Sequence, residues 1–121
     1  MARVFLDANV LIDLVEGRKN VSWSQFAKHN LFITPLSIHI LTYLYKYKIP
    51  NKKLADSYEY LLLVSLTDDI AKMATTGPTS DFEDNIQLHS SAEAECDLFL
   101  TSDKKLLKMK YFGKVKIVER I

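Results

Sequence analysis

The chain has 121 residues, 48% apolar, 26% charged and 11% aromatic, an ordinary globular mixture that predicts one domain over residues 1–121. A lone cysteine, Cys96, excludes an internal disulfide framework or a cysteine-built zinc site, and three scattered glycines leave no Gly-rich nucleotide-cradling loop. The formal charge of +1 hides segregation: residues 54–103 carry eleven acids against Lys72 alone, whereas 41–53 and 104–121 are lysine-rich, an arrangement suited to holding a polyanion over a cation-binding centre.

Met1-Ala2-Arg3 runs directly into Val4-Phe5-Leu6 without a signal-peptide pattern, and the longest apolar stretch, Leu31–Tyr45, is interrupted and too short to span a bilayer. A cytoplasmic protein without membrane association is therefore expected. Val4-Phe5-Leu6 reads as a buried parallel strand. Val10, Leu11, Leu14 and Val15 then recur at helical spacing until Gly17 stops the segment. Ser22–His29 suggests a short helix with Trp23, Phe26 and Ala27 facing inward. Leu31–Thr34 reads as a second strand, and Pro35 suits the first position of a helix running to about Tyr47, with Leu41, Leu44 and Tyr45 in its apolar stripe.

After Pro50-Asn51 a helix is predicted over Lys52–Leu62, although Leu62–Leu66 reads equally as a strand entering a helix start at Thr67-Asp68-Asp69. Thr75–Thr79 is a loop. Ser80-Asp81-Phe82-Glu83 has the form of a capping box, so a helix is expected from there to about Glu95. Leu98–Thr101 is a third apolar strand, Asp103–Lys108 a helical turn, and Val115–Val118 the last strand. Strands and helices alternate, which predicts a three-layer α/β/α sandwich around a mostly parallel sheet.

The acids fall at telling places. Asp7 follows the first strand and Asp103 stands just past the Leu98–Thr101 strand; ligand sites of open parallel sheets lie at such carboxyl ends. Asp84 belongs to the first turn of the 80–95 helix, with Asp81 three residues earlier on the same face. Carboxylates meeting without a lysine repel one another, and a hard divalent cation relieves the repulsion. Each acid also has a plain structural reading as a helix cap. His39 and His89 have no partner at ligand spacing, and Ser90 and Ser91 read as small packing residues.

Three segments taken together resemble the PIN-domain ribonucleases: Val4-Phe5-Leu6-Asp7-Ala8-Asn9, Asp81-Phe82-Glu83-Asp84-Asn85-Ile86-Gln87, and Leu98-Phe99-Leu100-Thr101-Ser102-Asp103. Their order and spacing suit a small bacterial member of the VapC-like toxin type over nearly the whole chain. The resemblance implies Mg²⁺- or Mn²⁺-dependent cleavage of RNA with Asp7, Asp84 and Asp103 as metal-site carboxylates. Asp81 is a further candidate ligand, and Asn9, Thr101 and Ser102 are polar support. It also implies a cognate antitoxin and a homodimer as partners. One departure stands out: many members place Glu in a Ser-x-x-Glu-Leu context where this chain has Ser37-Ile38-His39-Ile40-Leu41, so the site is one acid short. RNA would need basic contacts, for which Lys46 and Lys48, interleaved with Tyr43, Tyr45 and Tyr47, and Lys104 and Lys105 are candidates. Two other readings stay open: a catalytically silent PIN-like binding protein, motivated by Ile40, and more remotely a phosphoacceptor receiver domain, which would want its acidic pair after the first strand.

Overall fold

In the computed structural model, which describes residues 1–121, six strands form one sheet: β1 (Arg3–Leu6), β2 (Asn30–Ile33), β3 (Leu61–Leu63), β4 (Leu98–Leu100), β5 (Tyr111–Phe112) and β6 (Val115–Val118). Between them run helices α1 (Ala8–Glu16), α2 (Pro35–Leu44), α3 (Lys52–Ser57), α4 (Asp68–Ala74), α5 (Phe82–Glu93) and α6 (Lys104–Leu107). The strand order is β3-β2-β1-β4-β6-β5, parallel throughout except for the β5–β6 hairpin. This is an α/β fold with a mostly parallel sheet between helical layers.

Strand alternation builds both faces at once. Val4 and Leu6 of β1 join Leu31, Ile33 and Leu100 on one face, beneath α1, Leu41 of α2 and Leu54 of α3. Phe5 points the other way, with Phe32, Phe99 and Ile117, beneath Leu88 of α5 and Leu106 of α6. Phe5 stacks on Phe99 with ring centroids 5.5 Å apart. Val4, Phe5 and Leu6 are fully buried, each worth about 2 kcal/mol of transfer free energy, so β1 is the spine of the sheet. A third cluster (Ile70 and Ala74 of α4, Ile86 of α5, Leu36 of α2) fastens α4 to α5.

Several segments depart from the sequence expectation. Ser22–His29 forms only a 3₁₀ turn, Trp23–Phe26; Trp23 and Phe26 do pack against the core, with Trp23 also stacked on Tyr60, but Ala27 is exposed. The helix from Pro35 ends at Leu44 rather than Tyr47 because Lys46 takes a left-handed backbone (φ 50°). Leu44 and Tyr45 consequently stand exposed instead of lining the apolar stripe. The Lys52–Leu62 helix stops at Ser57, passes through a 3₁₀ turn at Tyr58–Tyr60 and becomes β3. The strand reading of this segment was the nearer one, begun a residue late and carried three residues too far. The 80–95 helix is capped by Asp81, not Ser80: the Asp81 carboxylate accepts from the Asp84 N–H at 2.9 Å, and the helix closes at Glu93. β5 is too short to have left an alternation to read.

Candidate metal centre

The sheet reverses its winding between β1 and β4, and their ends lie side by side: Leu6 is in register with Leu100. The Asp7 N–H continues the ladder, donating to the Leu100 carbonyl at 3.0 Å. Asp7 and Asp103 thus meet at the switch point, where open α/β sheets hold their ligands.

Asp7 occupies the N-cap position of α1, yet its carboxylate makes no cap bond to that helix. It is turned instead to the end of β4, where Thr101 Oγ1 donates to Asp7 Oδ2 at 2.6 Å. Thr101 Oγ1 in turn accepts the Asp103 N–H at 3.0 Å. The plain capping reading therefore fails for Asp7, while it holds for Asp81 and for Asp103, whose Oδ1 accepts the Lys105 N–H at 2.9 Å. Asp84 stands half-buried in the first turn of α5. Asn85 fixes where that helix begins: its Oδ1 accepts from the Thr79 N–H and hydroxyl, and its Nδ2 donates to the Ala74 and Thr79 carbonyls.

Electrostatics register how the acids converge. Burial pushes Asp84 up to about 7, with the charges of Asp81, Asp7, Asp103 and Glu83 adding to it. Burial also raises Asp7, against hydrogen bonds from Thr101, Ala8 and Gln87 that favour its ionised form, while Asp103 raises it further. The chain's four ion pairs all lie elsewhere, at Asp13, Glu16 and Asp56, so no lysine or arginine neutralises these carboxylates. No three His, Cys, Asp or Glu side chains are disposed to hold a metal unaided. The donor set is all oxygen, partly buried and unneutralised; this fits Mg²⁺, which binds through one or two carboxylates while keeping several waters.

Among the supporting candidates, Thr101 is buried against Asp7, whereas Asn9 and Ser102 are exposed beside it in sequence. Lys104 and Lys105 are exposed on α6 directly after Asp103. Lys46 and Lys48, the other basic candidates, follow the end of α2. A parallel crossover carries α2 back along the sheet, so about 15 Å of helix separates them from its start after β2. Of the tyrosines interleaved with them, Tyr47 donates to Glu16 and Tyr45 accepts from Arg18, both at the foot of α1. Ile40 is half-buried on α2. The histidines are structural: His39 stacks on Tyr43, and His89 meets the Gly77 carbonyl.

Sequence reading missed two residues. Gln87 is buried, and its Oε1 accepts the Ala8 N–H at 2.8 Å. Thr34 follows β2 as Asp7 follows β1 and Thr101 follows β4; extending the β1–β2 register sets it opposite Asp7, and its buried hydroxyl has no partner. A polar residue closing an apolar strand triplet was the available signal for Thr34. Gln87 offered none.

A doubly wound sheet with unneutralised carboxylates at its switch point is a layout suited to a divalent cation. Residues 4–110 match the PIN domain family, and the chain belongs to it. PIN domains are typically nucleases that use divalent metals. No curated protein matches the chain. No helix is long and apolar enough to cross a membrane.

Proposed function

We propose that this PIN domain is a Mg²⁺- or Mn²⁺-dependent endoribonuclease acting as the toxin of a type II toxin–antitoxin pair. The observation that supports it most is the hydrogen-bonded run from the Asp103 N–H through the Thr101 hydroxyl to the Asp7 carboxylate, across the β1–β4 switch point. Asp7, Asp84 and Asp103 would hold the cation, with Asp81 beside Asp84 as a further ligand. When bound, it supplies Lewis-acid activation of an attacking water and neutralises charge developing on the phosphoryl oxygens. Thr101 keeps Asp7 ionised and aimed, and Asn85 holds the α5 turn that presents Asp84. Lys104 and Lys105 on α6 offer backbone-phosphate contacts beside Asp103, and Asn9 and Ser102 are exposed polar groups close in sequence to Asp7 and Asp103. A cognate antitoxin and a second copy of the chain are the proposed protein partners.

Asp7→Asn preserves the acceptor for Thr101 and removes the charge. Purified wild-type protein is expected to cut single-stranded RNA only with Mg²⁺ or Mn²⁺, and the variant to lose that cutting. Equal cleavage by both proteins would show that another nuclease did the work. Ile40 supports a second reading, a PIN domain that binds RNA or a partner without cutting it.

A further inference from the structure

We propose that the open edge of β3 pairs antiparallel with β3 of a second copy of this chain, joining the two sheets across a two-fold axis at Leu63. The inference rests on the second copy proposed above as a partner, not on nuclease activity. β3 is the last strand on its side of the sheet. Its inner edge is spent on β2, where the Val64 N–H continues the ladder by donating to the Ile33 carbonyl at 2.8 Å. Successive residues of a strand turn their backbone groups to opposite edges, so Leu62 and Val64 serve β2 while Leu61 and Leu63 face outward. The Leu61 N–H is taken by the Tyr58 carbonyl. The N–H and the carbonyl of Leu63 both face the open edge.

Sheets ordinarily blunt an open edge with lysine, proline or a glycine bulge. Tyr60–Thr67 holds no charge, proline or glycine, and Leu62, Leu63 and Leu66 stand 49, 47 and 41% exposed. What fits such an edge is a strand that is itself uncharged and apolar on both faces, and a second β3 is one. A two-fold axis at Leu63 lets its N–H and carbonyl bond their own counterparts, which closes both edges at once. Leu62 then stands opposite the partner's Val64, and Tyr60 opposite the partner's Leu66. Leu62 and Val64 share the sheet face of Phe32, so the apolar layer beneath α5 runs on across the junction. The nearest charges, Glu59 and Asp68, fall opposite the partner's Thr67 and the partner's Tyr58. A parallel pairing would set each acid beside its own counterpart, and like charges directly opposite are destabilising. Charge thus selects the antiparallel register.

Light scattering on the size-exclusion peak is expected to find the wild-type protein dimeric without metal or RNA. Leu63→Lys sets two like charges face to face at the axis, and self-association is expected to weaken at least about hundredfold. Circular dichroism checks that the variant keeps its fold; should it not, a crosslink decides. Leu63→Cys supplies the one accessible thiol, since Cys96 is buried. A short bis-thiol reagent is expected to join two chains through it, and not through Tyr43→Cys, which is exposed on α2. A dimer that survives Leu63→Lys, or that is not linked through Leu63→Cys, would overturn this edge while keeping a second copy as partner. A monomeric wild type would remove both and leave the edge to a strand of another protein.

Discussion

Thr101→Val tests the centre with the least disturbance of shape. It replaces a hydroxyl by a methyl in a side chain that is 1% exposed, against a carboxylate that is 3% exposed. Two hydrogen bonds go: Thr101 Oγ1 to Asp7 Oδ2 at 2.6 Å, and the Asp103 N–H to Thr101 Oγ1 at 3.0 Å. A bond to a charged group contributes about 1.5–3 kcal/mol, while the half-exposed Asp103 N–H can turn to water. The net loss at neutral pH is therefore about 2 kcal/mol. For a domain of this size that lowers Tm by roughly 6–10 °C.

The loss depends on pH, and its sign follows from Asp7. Burial holds Asp7 above its ordinary value, and the Thr101 bond pulls it back down. A carboxylate raised in the folded state contributes its stability in full below the unfolded value and loses it as pH rises through the folded one. Thr101→Val raises Asp7 further and so deepens that loss. The Tm deficit is expected to be smaller near about pH 4 than near about pH 8, since protonation of Asp7 removes the charge that the Thr101 bond serves. Melting by circular dichroism at both values, without metal, reads it. Equal Tm values at about pH 8 would refute the account of Asp7 as a buried carboxylate kept ionised by Thr101.

Asp84→Asn removes the acid pushed up to about 7 by burial and its neighbours; the wild type loses stability as pH rises through that value, so the metal-free variant is expected to melt a few degrees higher than wild type near about pH 8 and at the same temperature near about pH 4. The same variant is expected to bind Mg²⁺ and cleave RNA at least about tenfold less well, and a variant that gains neither stability nor loses binding would separate Asp84 from the centre. On the proposal that Asp7, Asp84 and Asp103 serve as the metal site without a fourth acid, Ile40→Glu is expected to leave RNA cleavage within about threefold of wild type; a rise of about tenfold or more would make the wild type the silent form. Asn85→Ala strips the partners from the Thr79 N–H and the Ala74 carbonyl. It should cost about 2–4 kcal/mol, with hydrogen exchange rising first at Thr79.

What the sequence yielded about this centre was local. Asp7 and Asp103 are found because each closes or follows an apolar strand, and Asp84 because it sits in a helix's first turn. Their meeting depends on β1 and β4 being neighbours, and that is a property of strand order, which no stretch of eight residues carries. Locality also explains the errors. Ser80 and Asp81 offer competing caps one residue apart, and the choice goes to the one whose carboxylate meets the Asp84 N–H once Asn85 has tied down Thr79. The Lys52–Leu62 helix likewise reads well over its first turn, but it gives way after Ser57 because Leu61–Leu63 pairs with β2, a partner thirty residues away.

The same reasoning separates the kinds of residue that a site of this type needs. A carboxylate at a strand end announces itself because it interrupts an apolar run. The groups that govern its charge arrive from other elements: Thr101 from β4's end, Gln87 from α5 and Asp103's repulsion from beyond Thr101. Gln87 in particular interrupts nothing. It lies within a buried helix stretch running from Asn85 to Leu88, where a polar side chain is costly unless it is paired. Its partner is the Ala8 N–H, one of the donors that the start of α1 leaves without an intrahelical acceptor. A buried amide without a local partner is therefore the sequence feature that most deserves to be followed across the fold, since its cost has to be met by a distant group, and here that group is the backbone beside the central carboxylate.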